Sequence, residues 1–434
     1  MDTFAYTATA PIVGEYDVIV CGGGPAGFVA AIAAARMGCR TALVERLGYF
    51  GGTATAGLVM PISGFYHNEK RVIGSIPWEF IRRMEELGGA IVELPKGHIS
   101  AHIELYKLVA QRMLLEAGVE LYTNCYLSRC VMDGDRVTGI LMESKNGTEG
   151  LLGRCFIDAT GDGDLCRMSG VPMEEKEELQ PMTLCFVLEG VDVTTELLRD
   201  CIHHNGFGGK PSANPVIREY LLECVEQGKL RQFGGPWFNT LVQGGGIAVN
   251  VTRTGGDGAK REDMTRAEAQ LREDMFTIVA LLREKYPEFR RCSIVNSGVN
   301  PGIRETRQIR GRYTLTGADL REGKAFACPV ARCAHPMDIH KAASSRQTLE
   351  RLEQAACVSH EALIPQNVTN VIAAGRCISA DREALASLRV QGTLMSIGES
   401  AGVLGALACR NGCAVADVPA QQLRGELELR GLVL

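Results

Sequence analysis

A C-x-x-C pair is missing from these 434 residues, although 16 of them are cysteine. The nearest approaches, Cys125/Cys130, Cys328/Cys333 and Cys409/Cys413, are too loosely spaced and too poor in companions for a zinc site or an iron–sulfur cluster, so no protein-bound metal is expected. Residues 1–15 lack the basic start and long apolar core of a secretory leader, and the thiols are scattered through apolar segments. They read as reduced and buried in a cytoplasmic protein, not as a disulfide framework. No run reaches the roughly 18 consecutive apolar residues of a spanning helix, so no membrane insertion is expected. Neither charge dominates: 46 Lys and Arg against 51 Asp and Glu leave a net charge of −5, which argues against a nucleic-acid partner. Internal repeats and low-complexity tracts are absent too, and histidine is scarce, with eight in the chain.

What is present is an ordinary globular composition, 46% hydrophobic, long enough for two or three domains. The most informative stretch is "YDVIVCGGGPAGFVAAIAAARMGCRTALVER", Tyr16 to Arg46. Residues 17–21 predict a buried parallel strand, 25–37 an alanine-rich helix and 41–45 a second strand. Between the first strand and the helix, Gly22, Gly24 and Gly27 stand at GxGxxG spacing, with Pro25 and Ala26 inside the turn. Such a turn brings backbone up to a pyrophosphate, and the helix start offers it free N–H groups and partial positive charge. Glu45, closing the second strand, can accept hydrogen bonds from ribose hydroxyls, and Arg46 follows it.

Further along, residues 103–117 predict a helix, 120–123 a strand, and Asp133-Gly134-Asp135 a hairpin turn. Residues 155–158 form a strand running into Ala159-Thr160-Gly161-Asp162-Gly163-Asp164. A second glycine-rich turn at a strand's carboxyl end suits the crevice where doubly wound sheets bind ligands. Asp162 and Asp164 either serve that crevice or cap the next helix. After Pro181 the pattern changes: 183–192 and 245–253 alternate like antiparallel strands, and 265–286 is a long amphipathic helix. The stretch 205–240 is rich in Gly, Pro and Asn, with 205–213 and 234–246 as candidate mobile walls. Residues 344–356 predict a helix, 368–374 a strand ending at Gly375-Arg376, and 391–409 a helix carrying Gly398, Ala401, Gly402 and Gly405.

Taken together, "CGGGPAGFVAAIAAARMG", "VERLGYFGGTATAGLV", "FIDATGDGDL", "QPMTLCFVLEGVD", "NPGIRETRQIRGRY" and "AGRCISADREALASLRVQGTLMSIGESAG" resemble the FAD-dependent oxidoreductases of the fumarate reductase and succinate dehydrogenase flavoprotein superfamily, which is glutathione reductase-like. The resemblance spans nearly the whole chain in order and implies an α/β fold. A Rossmann-like FAD-binding domain, a parallel sheet with helices, would comprise residues 1–184 and 341–434, with an inserted mixed α+β substrate domain at 185–340. The turn Gly51-Gly52-Thr53-Ala54-Thr55 lies where a ligand longer than the pyrophosphate would continue. After Arg389-Val390, the helix start at Gln391-Gly392-Thr393 would face a ring edge, which in relatives is the flavin N1/C2 carbonyl, where negative charge collects on reduction. Phe50 precedes the Gly51-Gly52 pair and no histidine lies just before it, so FAD should be noncovalent. Relatives often carry a proline near Gln391-Gly392 and a histidine at the position of Arg382, and the catalytic pattern of fumarate reductases is not recognisable.

A flavin exchanges a hydride at N5, so the protein must place a substrate carbon over the ring and handle one proton. His340 in "HPMDIH" is the first candidate for that proton, with His335 five residues earlier; a satisfied interfacial histidine is the alternative. The pair His203-His204 reads as surface loop. Arg304, next to Glu305, could bind a substrate carboxylate or carbonyl with Tyr313, Arg253 or Arg332 nearby. The alternative is a domain-interface network, or a solvated strand face of Arg304, Arg307, Arg310 and Arg312. The expected activity is two-electron oxidation or reduction of a small polar metabolite, with the arginines leaning towards an anionic or oxygen-rich one. The alternative is a flavoprotein subunit that hands electrons to a partner protein. A non-redox or RNA-modifying flavoprotein fits the acidic balance poorly, and self-association into a homo-oligomer stays open.

Overall fold

The computed structural model describes residues 7–93, 98–199, 202–203, 213–242, 244 and 246–434. His204 and most of the predicted mobile wall at 205–213 lie outside these residues.

The apolar run that ends at Cys21 is strand β1 (Ile12–Cys21), followed by helix α1 (Pro25–Arg36) and strand β2 (Thr41–Glu45). Helices α2 (Ser75–Glu86) and α3 (Ile103–Glu116) precede β3 (Glu120–Thr123), β4 (Tyr126–Asp133), β5 (Arg136–Ser144) and β6 (Gly147–Asp158). These strands form a sheet in the order β3-β2-β1-β6-β5-β4. Pairing is parallel from β3 through β2 and β1 to β6, then antiparallel through the β6–β5–β4 meander. β6 is twelve residues long and changes partner along one edge. Its first half pairs with β5, and Phe156 to Asp158 pair in parallel with Val371 to Ala373. Every residue of β2 is buried, as a parallel strand covered on both faces requires.

An inserted unit follows. Strands β7 (Phe186–Glu189), β8 (Ile202–His203), β9 (Phe233–Thr240), β10 (Gly246–Thr252) and β11 (Ser293–Ser297) make a second sheet in the order β8-β9-β10-β7-β11. Helix α4 (Arg261–Lys285) buries Met275, Ile278, Val279 and Leu282 in a core with Phe186, Phe238 and Val249 of that sheet. Ile309, Leu315 and Leu320 already lie in the larger core with α1 and β1, so this second core is smaller than the expected span 185–340.

The return leg holds β12 (Pro329–Cys333), β13 (Met337–His340), β14 (Gln347–Glu350), β15 (Ala356–Ser359), β16 (Val371–Ala373) and helix α5 (Gln391–Asn411). The helix expected at 344–356 is instead the far arm of a hairpin, with Met337 opposite Glu350 and His340 opposite Gln347. The reason is tertiary: Arg253 Nη1 reaches the carbonyls of Lys341, Ser344 and Arg346 at 3.4, 2.7 and 3.3 Å, a convergence that a turn allows and a helix does not. Among the described residues, α5 alone has the length and hydropathy of a spanning helix, yet it is buried throughout that apolar window. It crosses α1 at backbone contact. A Cβ on Gly398 or Gly402 would overlap the carbonyls of Ala26 and Ala30, so these glycines set the close approach that keeps both helices in the core.

Candidate active site

The turns after β1, β2, β6 and β16 gather at one edge of the main sheet, the carboxyl edge where such sheets bind ligands. Gly22 has φ 99°, and a Cβ there would stand 2.5 Å from the Ala159 carbonyl oxygen. A Cβ on Gly27 would overlap the Gly22 carbonyl, so the sharp turn and the approach of α1 both need hydrogen at these positions. Gly24 caps α1 without any side chain, Pro25 occupies its first position, and no acid lies in the first turn. The Ala26 and Gly27 N–H groups find no acceptor among the described residues. A buried helix start with free donors and partial positive charge fits a pyrophosphate.

Glu45 is 7% exposed and fastens this turn to β2: Gly23 N–H donates to its Oε2 at 2.6 Å and Leu47 N–H to its Oε1 at 2.9 Å. Burial pushes its carboxyl pKa up, with those two bonds opposing. About half of a carboxylate's acceptor positions stay free for a ribose. Arg46 is exposed beside it. The Gly51 N–H donates to the Gly23 carbonyl at 2.8 Å, which lays the Gly51–Thr55 turn along the first turn, and Thr55 Oγ1 braces it on the Phe50 carbonyl at 2.9 Å.

The third turn is held from within by buried Asp158, which accepts from Thr160 N–H, Thr160 Oγ1 and Cys166 N–H at 3.1, 2.7 and 2.8 Å. Asp162 does not cap the helix Asp164–Met168. It accepts from Arg376 Nη2 at 3.1 Å and Thr306 Oγ1 at 2.8 Å, while Asp164 pairs with Arg307. Arg376, after Gly375, also donates to the Ile303 carbonyl, so it ties the crevice to the segment that carries Arg304.

At the far end, α5 begins after Arg389 and Val390. Gln391 Nε2 donates to the Val59 and Pro61 carbonyls at 2.8 and 3.2 Å, and the Gly392 N–H donates to Ser63. Gln391 Oε1 and Thr393 Oγ1 are buried without hydrogen-bond partners. Orphaned polar atoms at a helix start, next to a turn of Gly and Thr, fit a flavin edge. The residues present therefore suit FAD along the whole crevice.

Beside this end lies a cluster of charged side chains that the sequence only hinted at. His340 is 2% exposed, with Arg253 Nη2 2.9 Å from Nδ1 and Asp338 Oδ2 2.8 Å from Nε2. An arginine can only donate, so Nδ1 accepts and the Nε2–H donates to Asp338. Burial and the neighbouring positive Arg304 push the His340 pKa down to about 3, against the pull of Asp338. With both nitrogens taken and the ring neutral, His340 has no free position for acid–base work, which corrects its ranking as first candidate. His335 differs. Its Nδ1–H donates to the Pro336 carbonyl at 2.8 Å, and its Nε2 has no hydrogen-bond partner among the described residues. Burial lowers its pKa as well, with Asp338 opposing.

Arg304 donates through Nη1 to the Pro181 carbonyl and Thr183 Oγ1, both at 2.7 Å. Burial, with Arg389 and Arg253 nearby, lowers its pKa to about 9. Of the companions expected for it, only Arg253 is there: Tyr313 bonds Asp319, and Arg332 bonds the Ala355 and Leu434 carbonyls. The run Arg304 to Arg312 is not one strand face, since Arg307 and Arg310 pair with Asp164 and Glu174 on separate segments. Glu305 turns away to Lys176 at 2.6 Å and Gln180 N–H at 3.1 Å. Asp338 is the residue that sequence reasoning passed over. Its only signal was a lone carboxylate between two histidines in "HPMDIH".

A Rossmann-like crevice for a dinucleotide, with a buried cluster of charged side chains beside it, defines an FAD-dependent enzyme. Residues 17–427 match the family described as FAD dependent oxidoreductase, and the chain belongs to it. FAD is its cofactor. A segment of 57 residues is 49% identical to dihydrolipoyl dehydrogenase of Trypanosoma brucei brucei, covering 13% of this chain and 12% of that one. A longer match of 195 residues is 30% identical to digeranylgeranylglycerophospholipid reductase 2 of Methanopyrus kandleri, covering 41% and 46%. The matched part thus spans less than half the length of either relative. Among solved structures, a geranylgeranyl bacteriochlorophyll reductase-like protein from Thermoplasma acidophilum shares the fold, with TM-score 0.50 and 12% identity over 96% of this chain and 83% of that one.

Proposed function

We propose that this oxidoreductase carries out a two-electron oxidation or reduction of a small polar metabolite in the cleft beside the start of α5. The observation that carries the reading is the polarity of that cleft. Asp338 Oδ1, Arg389 Nε, Arg253 Nε and Gln180 Nε2 are buried there without hydrogen-bond partners, beside the orphaned Gln391 and Thr393 atoms. The Methanopyrus relative is named for a lipid substrate, but surroundings that hold three arginines, two histidines and an aspartate suit an oxygen-rich molecule better than an isoprenoid chain. The finer placement in the fumarate reductase and succinate dehydrogenase flavoprotein superfamily rests on the glycine turns and the closing segment around Gln391.

FAD, when bound, supplies hydride exchange at N5. Gly22 to Gly27 and the α1 start would hold its pyrophosphate, Glu45 and Arg46 its adenosine, and Gly51–Thr55 with Ala159–Asp162 its middle. Gly375, Arg376 and Arg389 to Thr393 would flank the ring. His335 is the side chain placed to take or give the substrate proton, at its free Nε2. His340, locked between Arg253 and Asp338, positions the aspartate and through it Arg389, which donates to the Asp338 carbonyl at 2.9 Å. The test is anaerobic photoreduction of the purified flavoprotein, then re-oxidation against a panel of small carbonyl and enoate compounds. Rapid re-oxidation by one polar class is expected, and a flavin that responds only to isoprenoid lipids would overturn the reading.

A further inference from the structure

We propose that Cys409 and Cys155 form an oxidisable thiol pair: hydrogen peroxide entering a pocket at the far end of α5 attacks Cys409, and Cys155 closes on it as a disulfide. This modification site is separate from the flavin crevice and goes beyond the function proposed above.

The pocket, of about 230 Å³, lies between β5, β6 and the last turn of α5, with Arg136, Arg154, Cys155, Cys409 and Cys413 among its walls. Helix α5 begins at Gln391 beside the crevice, and at 1.5 Å per residue Cys409 stands about 27 Å further along it. One turn before Cys409, Gly405 leaves room for the Cys155 sulfur, which would stand 3.4 Å from a Cβ placed there. Residues four apart share a helix face, so that sulfur lies on the face that carries Cys409, and the two thiols share a hydrogen bond. Cys409 Sγ itself donates to the Asp17 carbonyl at 3.2 Å. A thiol has one proton, so Cys155 is the donor to Cys409 and stays its donor once the Cys409 proton is gone. Cys409 is 7% exposed and Cys155 1%, which makes Cys409 the outer sulfur.

The charges around the pair favour a thiolate at Cys409. Arg154 donates through Nη2 to the Cys409 carbonyl at 2.7 Å and through Nη1 to Asp17 Oδ1 at 2.9 Å. Arg136 Nη2 donates to the Arg154 carbonyl at 2.8 Å, and no carboxylate among the described residues pairs with Arg136. The bond from Cys155, with Arg154 and Arg136, pulls the Cys409 thiol below its usual pKa, against burial and Asp17. Cys155 is pushed up by that same bond and by burial, and Cys39 and Cys413 are pushed up by burial. A thiolate beside guanidinium groups and open to small solutes is the reactive partner, and the neutral thiol behind it is the resolving one. Attack by Cys409 on one peroxide oxygen forms an S–O bond and breaks the O–O bond. The departing hydroxide takes a proton and leaves as water, and the sulfur, oxidised by two electrons, becomes a sulfenic acid. Cys155 then forms the S–S bond as the S–O bond breaks, and its proton leaves with the hydroxyl as a second water. Two thiols and one peroxide thus give one disulfide and two waters. Re-oxidation of a reduced flavin by dioxygen supplies such a peroxide.

The test exposes the FAD-containing protein, as purified, to hydrogen peroxide, counts thiols by alkylation and maps linked peptides by mass spectrometry. The natural chain is expected to lose two thiols first, to yield a Cys155–Cys409 linked peptide, and to regain both thiols with dithiothreitol. Cys155→Ser should stop at a dimedone-reactive sulfenic acid on Cys409. Cys409→Ser should slow the first thiol loss by about tenfold or more, and Arg136→Gln by about threefold, with flavin content and Tm unchanged. If Cys155→Ser folds poorly, Cys409→Ser decides alone, through that slowed first loss. First oxidation at Cys39 or Cys413, a Cys409–Cys413 bond, or a rate untouched by Cys409→Ser overturns the pair. Each of those results leaves the function proposed above standing, because the pair lies outside the flavin crevice. A chain that forms the Cys155–Cys409 bond but carries no flavin would support the pair and count against that function alone.

Discussion

The glycine crevice and the charged cleft adjoin each other, yet they are made of different material. In the crevice, backbone does the work: free N–H groups at the α1 start, carbonyl-to-amide links between turns, and glycines whose hydrogens leave room for a ligand. In the cleft it is side chains, brought together from residues 180, 253, 304, 335–340 and 389, each of which would lose its partner if one segment moved. A backbone site tolerates changes of side chain but no added Cβ. A side-chain site tolerates small shifts of backbone but not the loss of a charge.

The largest effect should come from filling the crevice. Gly27→Val places carbon where the Gly22 carbonyl stands. Loss of copurifying FAD and destabilisation by about 3 kcal/mol or more are expected. A spectrum showing normal flavin content would break the assignment of the first turn.

In the cleft, Asp338→Ala strands His340 and Arg389, and an uncompensated buried charge should cost about 3 kcal/mol in urea unfolding while FAD is retained. If flavin were lost as completely as in Gly27→Val, the division between the two regions would not hold.

The two regions should also fail at opposite ends of the pH scale. His340 in the cleft has its folded pKa pushed from 6.5 down to about 3, so its stabilisation is complete above pH 6.5 and is lost as pH falls towards 3. His340→Gln should flatten that acid limb, measured as Tm against pH. Behind the crevice, Glu399 on α5 is fully buried and accepts from Ser75 Oγ at 2.5 Å and Ile76 N–H at 3.2 Å, where it caps α2. Burial raises its pKa from 4.5 to about 7. The folded chain keeps this proton longer than the unfolded one, so stability is full below pH 4.5 and falls as pH rises to 7, by at most about 3 kcal/mol. Glu399→Gln should therefore gain on the natural protein between pH 5 and pH 8; a constant difference across that range would show that the proton is not held.

The smallest effect should be at neither site. Arg310→Ala breaks an ion pair with Glu174 in which both side chains are largely exposed, so a change within about 0.5 kcal/mol is expected. A larger loss would mean that this segment braces the cleft through Arg304.

The sequence by itself determined the crevice and most of its scaffold. A glycine pattern between a β-branched run and an alanine-rich run has few other solutions, and the elements at 25–37, 103–117 and 391–409 end within two residues of their expected limits because their periodicity is local. Hairpin β13–β14 was illegible, since the six residues between its arms turn only because Arg253, some ninety positions earlier, collects their carbonyls. The partners of the arginines were equally hidden. Glu305 stands next to Arg304 in the chain but bonds Lys176, whereas Asp338 reaches both His340 and Arg389. A backbone site is written in the steric needs of neighbouring residues, which a sequence displays. A charged site is decided by which side chains share a low-dielectric space, and only the tertiary structure brings those side chains together.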